Sequence, residues 1–218
     1  MTRDEFLALV LRNPINERIA RELETLALPD AWIVSGCLVQ SVWNALTRRA
    51  IDYGIADYDV FYFDGDTSWA AEDAVIRAVE ARTRGLGVKV EVRNQARVHL
   101  WYPAKHGLPY PPLARATEGI DRFLTQNTMI GIRRASEAYD IYAPHGFDDV
   151  ARLIVRPNPG PNFSAANYAA KAARWKALWP ELTVLEADDD AVIPGRCEAS
   201  NPESRDSQVR NCAPKFAR

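Results

Sequence analysis

The first third of the chain carries apolar residues at helical spacing, interrupted by one short apolar run. Large apolar side chains recur every three or four positions over residues 4–11 and 15–28, which predicts two helices. Residues 31–35 form a mostly apolar run whose short length favours a buried strand. Gly36 comes next, and apolar positions after it repeat on one face of a predicted helix. A strand therefore leads through a glycine into a helix.

The central segment shows strand-like patterns on both sides of one helix. Residues 59–63 combine aromatic and β-branched residues and end in an Asp-Gly-Asp turn signal, which predicts a strand. Residues 88–93 alternate between valines and charged residues, which indicates a strand with one buried face. A helix between the two strands starts at a cap within residues 66–68 and runs to about Arg82. Strands around a helix of this length favour an α/β arrangement.

Helices and one hairpin are predicted for the remaining chain up to residue 184. We predict helices over residues 113–124, 147–154 and 164–178, and a hairpin of strands over residues 128–133 and 138–142. All of these segments together predict one domain of the α/β (α+β) class over residues 1–184. Between residues 185 and 218 large apolar residues are few and no period persists, so we expect a disordered tail.

Composition and charge limit the environment and the partners. Hydrophobic residues make up 47% of the chain and charged residues 26%, as in a protein with a substantial core. The formal net charge of −2 gives no overall attraction to nucleic acid or to an anionic membrane, so a polyanion would need a local patch or metal ions. No apolar run is long enough to span a membrane, the N-terminus lacks a signal-peptide pattern, and the three cysteines lack metal-site spacing. We therefore expect a cytoplasmic protein.

Two aspartates at the start of a predicted strand are the first candidates for chemistry. Asp57 and Asp59 are two positions apart, so an extended backbone points both carboxylates to the same face. Adjacent carboxylates repel each other unless a cation or water satisfies them, and Mg²⁺ prefers such oxygen ligands. The alternative is a solvated strand end, because aspartates are usually exposed.

Two further features favour a metal and phosphate site. Glu91 lies within the next predicted strand and can face the aspartates, although a salt bridge to Lys89 or Arg93 would also explain it. Residues 35–37 join a strand to a helix, where backbone N–H groups and the positive helix end can bind phosphate. A tight turn that simply needs glycine is the alternative for this segment.

In this order the motifs resemble the polymerase-β-like nucleotidyltransferase superfamily. That superfamily has a hydrophobic–Gly–Gly/Ser turn, a D-x-D or D-x-E pair and a third carboxylate on a later strand. The matching positions here are Gly36-Cys37, Asp57-Tyr-Asp59 and Glu91. Cys37 stands in place of the second small residue of the turn, and the stretch from Cys37 to Asp57 is longer than is usual in the superfamily.

Within the superfamily, the chain is similar to a bacterial family of nucleotidyltransferase-like proteins over roughly residues 5–184. The likeness is carried by VSGCLVQSVWN at 34–44, DYDVFYFD at 57–64, EVRNQARVH at 91–99, YAPHG at 142–146, RPN at 156–158 and KAARW at 171–175. It implies a mixed sheet with helices packed mainly on one face. It also implies transfer of a nucleoside monophosphate from an NTP to an acceptor that the sequence does not identify, with release of pyrophosphate.

Roles for individual residues follow from the resemblance and, for two arginines, from strand parity. Three acidic residues would be catalytic and would hold Mg²⁺ or Mn²⁺, namely Asp57, Asp59 and Glu91. The turn residues would approach the phosphates, namely Ser35, Gly36 and Cys37. Two arginines share the parity of Glu91 and would contact phosphate if the strand stays extended, namely Arg93 and Arg97. A polar sheet edge with surface ion pairs is the alternative for these arginines.

Two other functions stay open at this point. The substitution at Cys37 is compatible with a domain that binds a nucleotide or another ligand without catalysis, as a sensor or an antitoxin-like partner. A D-x-D glycosyltransferase that holds a nucleotide-sugar through its metal is a weaker alternative, because no nucleotide-binding βα repeat opens the chain. Near the last helix three basic residues are interpreted as a solvated face, with a basic patch over the site as the alternative, namely Lys171, Arg174 and Lys176.

Overall fold

A computed structural model describes residues 1–187 of the 218-residue chain. The helices are α1 Arg3–Val10, α2 Pro14–Thr25, α3 Gly36–Leu46, α4 Trp69–Thr83, α5 Val98–His106, α6 Ala116–Ile120, α7 Asp148–Ala151 and α8 Ala165–Leu178. The strands are β1 Trp32–Val34, β2 Tyr58–Tyr62, β3 Val90–Asn94, β4 Gly131–Ala135, β5 Ala138–Tyr142, β6 Ile154–Val155 and β7 Thr183–Val184. Within residues 1–187, no helix is both long and apolar enough to cross a membrane.

Five strands form the main sheet in the order β3-β2-β1-β4-β5. β2 and β3 are parallel, whereas the pairs β1–β2, β1–β4 and β4–β5 are antiparallel. Asp59 of β2 lies opposite Glu91 of β3 on one side and opposite Val34 of β1 on the other. The end of β1, the start of β2 and the start of β3 therefore lie side by side. This mixed sheet with its helices confirms the predicted fold class.

One face of the sheet carries the main hydrophobic core. Ile33, Val60 and Val92 are almost completely buried there and pack with apolar residues of α1, α2, α3, α4 and α8. In β2 the buried residues alternate with half-buried ones, so Tyr58 and Tyr62 share the core face with Val60. Burying such side chains stabilises the fold by about 1.5–3 kcal/mol each, so this face supplies most of the hydrophobic stabilisation.

The opposite face of the sheet is covered more sparsely. A smaller cluster joins Trp32 and Val34 to Ala116 and Ile120 of α6. Gly131 of β4 permits this close packing, because a Cβ there would stand 2.7 Å from Ile120 Cδ1. The helices therefore pack mainly on one face, as predicted, and polar side chains of β2 and β3 occupy part of the other.

Most predicted helices and strands form near the expected positions, and the exceptions have local causes. The chain turns at residues 95–97 and enters α5, which was not predicted. Pro103 lies inside α5 and removes a backbone donor there, which weakens the helical pattern. The helix predicted over residues 113–124 was too long, because only Ala116–Ile120 is helical after the two prolines that precede it.

A two-stranded parallel sheet, β6 with β7, ends the described part of the chain. Leu182, just before β7, is fully buried. The predicted domain boundary at residue 184 coincides with the end of β7 and stays a prediction. Of the predicted disordered tail, residues 185–187 are described, and the Leu185 N–H donates to Val155 O at 2.9 Å; the prediction for residues 188–218 lies outside the described residues.

Candidate active site

Three carboxylates come from two neighbouring strands on the sparsely covered face of the sheet. Asp59 and Glu91 are direct neighbours in the parallel register of β2 and β3, and Asp57 lies two residues before Asp59. All three residues are half-buried. The intervening Tyr58 points into the core, where its hydroxyl accepts a hydrogen bond from Asn13 Nδ2 at 3.0 Å. This buried anchor fixes the segment that carries both aspartates.

The charges of these carboxylates influence one another. Burial raises the pKa of Asp59 to about 7, and repulsion from Asp57 and Glu91 adds to that rise. The positive charges of Lys171 in α8 and of Arg93 act in the opposite direction. The pKa of Lys171 is itself lowered, chiefly by burial, although the nearby Asp59 limits the fall. A bound cation would relieve the repulsion among these carboxylates.

Glu91 differs from the two aspartates because it has cationic partners. Its carboxylate accepts a hydrogen bond from Lys89 and lies 3.7 Å from Arg93. The Lys89 hydrogen bond is the main reason why the pKa of Glu91 is lowered. The salt bridge that was considered as an alternative for this residue is thus present. Within residues 1–187, no three His, Cys, Asp or Glu side chains converge as a metal cluster would.

The turn between β1 and α3 lies directly beside the aspartates. Val34, the last residue of β1, is the register partner of Asp59. Ser35 follows it with φ 65° and ψ −128°, a conformation that is strained for a residue with a side chain. The Ser35 N–H donates to Ile130 O at 2.9 Å, which ties the turn to the residue that precedes β4. Backbone strain of this kind is typical of ligand-binding turns.

Gly36 and Cys37 begin α3, and each fits its position for a different reason. A Cβ at Gly36 would stand 3.1 Å from Gln40 Nε2, so the glycine allows this side chain to pack over the turn. The Cys37 thiol is buried in the core, 3.6 Å from Val34 O, and burial raises its pKa. The residue that departs from the superfamily pattern therefore directs its side chain into the core, and its thiol is neutral.

The structure separates the two arginines that shared parity in the sequence. Arg93 stays beside Glu91 and lines a cavity on the same face. After β3 the chain turns, so parity no longer determines direction, and Arg97 pairs with the buried Glu72 of α4. Arg97 also donates from Nε to Thr67 O at 2.7 Å. The prediction that Arg97 lies on the carboxylate side is therefore corrected: it joins α4 to the turn.

A cavity of about 470 Å³ adjoins the carboxylates. Phe61 and Arg93 line it, and each lies two positions beyond the Asp59–Glu91 pair in its strand. Lys171 lines it as well, although the sequence pattern had suggested a solvated residue. The alternative interpretation of this residue, a basic patch over the site, therefore holds for Lys171, because α8 packs beside the carboxylates.

The aromatic side chains that α5 contributes to this cavity were also missed. Trp101 and Tyr102 lie in its wall. Sequence reasoning could not place them because the helix that presents them was not predicted. The adjacent pair of large aromatic residues before Pro103 was the signal available in the sequence.

The fold and the site together define a domain of the nucleotidyltransferase type, with a glycine turn beside paired carboxylates on a mixed sheet. A family model described as nucleotidyltransferase matches residues 21–184, and the chain therefore belongs to this nucleotidyltransferase family. A solved NMR structure, described as revealing a CCA-adding enzyme head domain, is similar with a TM-score of 0.68. It shares 22% sequence identity, and the match covers 85% of this chain and 97% of that chain, which establishes likeness of fold. No match is found among curated proteins.

Proposed function

We propose that this protein transfers a nucleoside monophosphate from an NTP to an acceptor and releases pyrophosphate. Its family supports nucleotidyl transfer in general. The observation that carries the specific proposal is the register of Asp59 with Glu91, with Asp57 two residues away and the Gly36 turn alongside. This arrangement puts negative charge for a cation next to backbone donors for phosphate.

We assign Mg²⁺ or Mn²⁺ to Asp57, Asp59 and Glu91, because carboxylate oxygens are the ligands that these cations prefer. Among residues 1–187, neither aspartate side chain has an ion pair or a hydrogen bond, and repulsion from the neighbouring carboxylates contributes to the raised pKa of Asp59. Glu91 joins this set once its carboxylate turns away from the exposed Lys89. When bound, the cation neutralises phosphate charge and lowers the pKa of the acceptor hydroxyl.

Other residues of the site bind and orient the nucleotide. The backbone at Gly36 and the positive end of α3 bind the β- and γ-phosphates. Arg93 and Lys171 offset charge near the α-phosphate, since both lie beside the carboxylates. The acceptor oxygen bonds to the α-phosphorus while the bond from that phosphorus to pyrophosphate breaks. Pyrophosphate leaves with the electron pair, and the hydroxyl proton passes to solvent.

The test is pyrophosphate release in a screen of each NTP with Mg²⁺ or Mn²⁺ and a library of acceptors. We expect Asp57→Asn and Asp59→Asn each to lower the rate about 100-fold or more, because each removes a charged ligand. Glu80→Gln, a change at an exposed residue of α4, is the matched control and should retain full activity. Unchanged pyrophosphate release and NTP binding in a folded Asp59→Asn variant would overturn the proposal.

Nucleotide binding without catalysis is the second candidate function. The pairing of Glu91 with Lys89 and Arg93 favours it, because this pairing occupies the third carboxylate. Calorimetry would then show NTP binding, while no acceptor in the screen would release pyrophosphate. A Lys89→Met variant that gained no activity in the same screen would further favour this candidate over the transferase.

Two broader assignments accompany the proposal. We assign the protein to the cytoplasm. We also place the domain boundary near residue 184, because β7 pairs with β6 and ends there.

A further inference from the structure

Several flat aromatic rings line the cavity beside the carboxylates. Five aromatic side chains contribute to it, namely Phe61, Trp101, Tyr102, Tyr110 and Phe123. Phe61 and Phe123 are stacked with ring centroids 5.4 Å apart, and Tyr102 and Tyr110 are 4.6 Å apart. A volume of about 470 Å³ is large enough for a small-molecule ligand. Walls of this kind favour a ligand with a planar ring, such as a nucleobase.

The same cavity is positively charged. Arg93, Arg122 and Lys171 line it, and no Asp or Glu does so in the described part of the chain. Arg122 is half-buried, stands over the Tyr110 ring at 5.8 Å, and forms no ion pair with any residue from 1 to 187. A half-buried guanidinium without a carboxylate partner favours an anionic ligand. This local patch is the feature that a chain of net charge −2 needs in order to bind a polyanion.

The position of the cavity relative to the turn indicates which substrate it takes. Gly36 follows β1 and lies toward the start of β2, on one side of the Asp59–Glu91 pair. Phe61 and Arg93 lie beyond that pair in the opposite direction along the strands. In-line displacement places the attacking oxygen and the leaving pyrophosphate on opposite sides of the phosphorus. With the pyrophosphate at the Gly36 turn, the attacking hydroxyl comes from the cavity side.

We propose that this cavity binds the acceptor, and that the acceptor is a nucleotide with a free hydroxyl. The nucleotide is either a mononucleotide or the 3′ end of a single-stranded nucleic acid, which present the same base, phosphate and hydroxyl chemistry. Its base stacks on the rings of Trp101 and Tyr102, and its phosphate pairs with Arg122. The assignment rests on the proposed nucleotidyl transfer, which places the NTP at the Gly36 turn.

The test uses the full chain saturated with Mn²⁺ and α,β-methylene-ATP, an analogue whose α–β bond is not cleaved. AMP, or a five-residue single-stranded oligoadenylate, is then titrated into this complex by calorimetry. We expect Trp101→Ala and Arg122→Met each to weaken binding of these probes about tenfold, while affinity for the analogue changes less than twofold. Tighter binding of the oligoadenylate than of AMP assigns a nucleic-acid end, and equal binding assigns a free nucleotide.

Two matched variants serve as controls. Leu100→Ala changes an exposed residue of α5 beside Trp101, and Arg115→Met removes an exposed charge near α6; both should bind the probes like the wild type. If the Trp101 and Arg122 variants lose affinity for the analogue, the cavity binds the base of the NTP and the assignment is overturned. Unchanged affinity for AMP and the oligoadenylate in these variants would also overturn it. If the wild type fails to bind the analogue, the proposed transfer fails separately, and AMP alone still tests the cavity.

Discussion

In the folded protein, burial and two neighbouring carboxylates raise the pKa of Asp59 from 3.8 to about 7. Ionisation of Asp59 therefore destabilises the folded state. The folded state therefore holds the Asp59 proton more tightly than the unfolded state, and stability falls as pH rises through this range. We expect Asp59→Asn to remove this loss of stability with rising pH. Without divalent cations, its free energy of unfolding should gain up to about 4 kcal/mol relative to wild type between about pH 4 and pH 8, as measured by urea unfolding.

The control for this prediction is Glu137→Gln, a change at an exposed residue of the hairpin turn. Its difference from wild type should not vary with pH. Added Mg²⁺ should stabilise the wild type at about pH 8 but not Asp59→Asn, since only the wild type binds the ion tightly. A difference between Asp59→Asn and wild type that is constant across the pH range would contradict the prediction.

Lys171 lies beside the carboxylates to which we assign the metal ion. Its ammonium lies near Asp57 and Asp59 and stands over the Trp175 ring at 4.9 Å. We expect Lys171→Met to tighten Mn²⁺ binding to the nucleotide-free protein about fivefold, because an opposing positive charge is removed. The same variant should bind NTP more weakly. Electron paramagnetic resonance of free Mn²⁺ measures the first effect, with Arg174→Met on the same helix as control; weaker Mn²⁺ binding in Lys171→Met would refute it.

At the residue scale, sequence reasoning worked where the deciding geometry is local. Asp57 and Asp59 share a face because strand parity depends only on consecutive backbone angles. The same rule failed for Arg97, because the strand ends before it and the chain turns. For Lys171 the sequence offered a basic patch over the site only as an alternative, since its place beside Asp59 depends on the packing of α8.

At the element scale, the long connection from α3 to β2 has a structural reason. Asn44 Nδ2 donates to Tyr53 O at 2.9 Å, and Trp179 Nε1 donates to Asn44 Oδ1 at the same distance. The Tyr53 and Trp179 rings meet edge to face with centroids 5.7 Å apart. The extra residues between Cys37 and Asp57 are therefore held against the C-terminal part of the domain just before the chain reaches the site.

Gly54 is the point at which this connection is most sensitive. Its φ is +71°, and a Cβ there would stand 2.6 Å from Trp179 Cη2. We expect Gly54→Ala to destabilise the protein by about 3 kcal/mol in urea unfolding, through backbone strain and overpacking together. Metal-dependent NTP binding should weaken as well, because Asp57 follows three residues later.

The matched control is Gly65→Ala, at a glycine whose Cβ would meet nothing within 4 Å. This change should alter the free energy of unfolding by less than about 0.5 kcal/mol. If both substitutions change the free energy of unfolding equally, the connection from α3 to β2 tolerates a side chain against Trp179. Packing against Trp179 would then not explain the length of this connection.

For the molecule as a whole, the class of fold was predictable from the sequence, but the pairing of strands that are distant in the sequence was not. Alternation and helical spacing located β2, β3 and most helices, since each pattern spans a single element. The pairing of β1 with β4 joins distant segments and leaves no mark on either pattern. The strands β6 and β7 have two residues each, which is too short for any period to be recognised.

The last strand is nevertheless expected to be essential to the domain. Leu182 is fully buried, β7 pairs with β6, and the Tyr168 hydroxyl donates to Val155 O at 3.1 Å and also to Leu185 O. A chain that ends after residue 180 loses all of these contacts except the one to Val155, and burial of Leu182 alone contributes about 1.5–3 kcal/mol. We expect this chain to lose about 4 kcal/mol of stability in urea, whereas a chain that ends after residue 187 should match the full chain within about 0.5 kcal/mol. Equal stability of the two shortened chains would place the domain boundary before β7 and refute the boundary near residue 184.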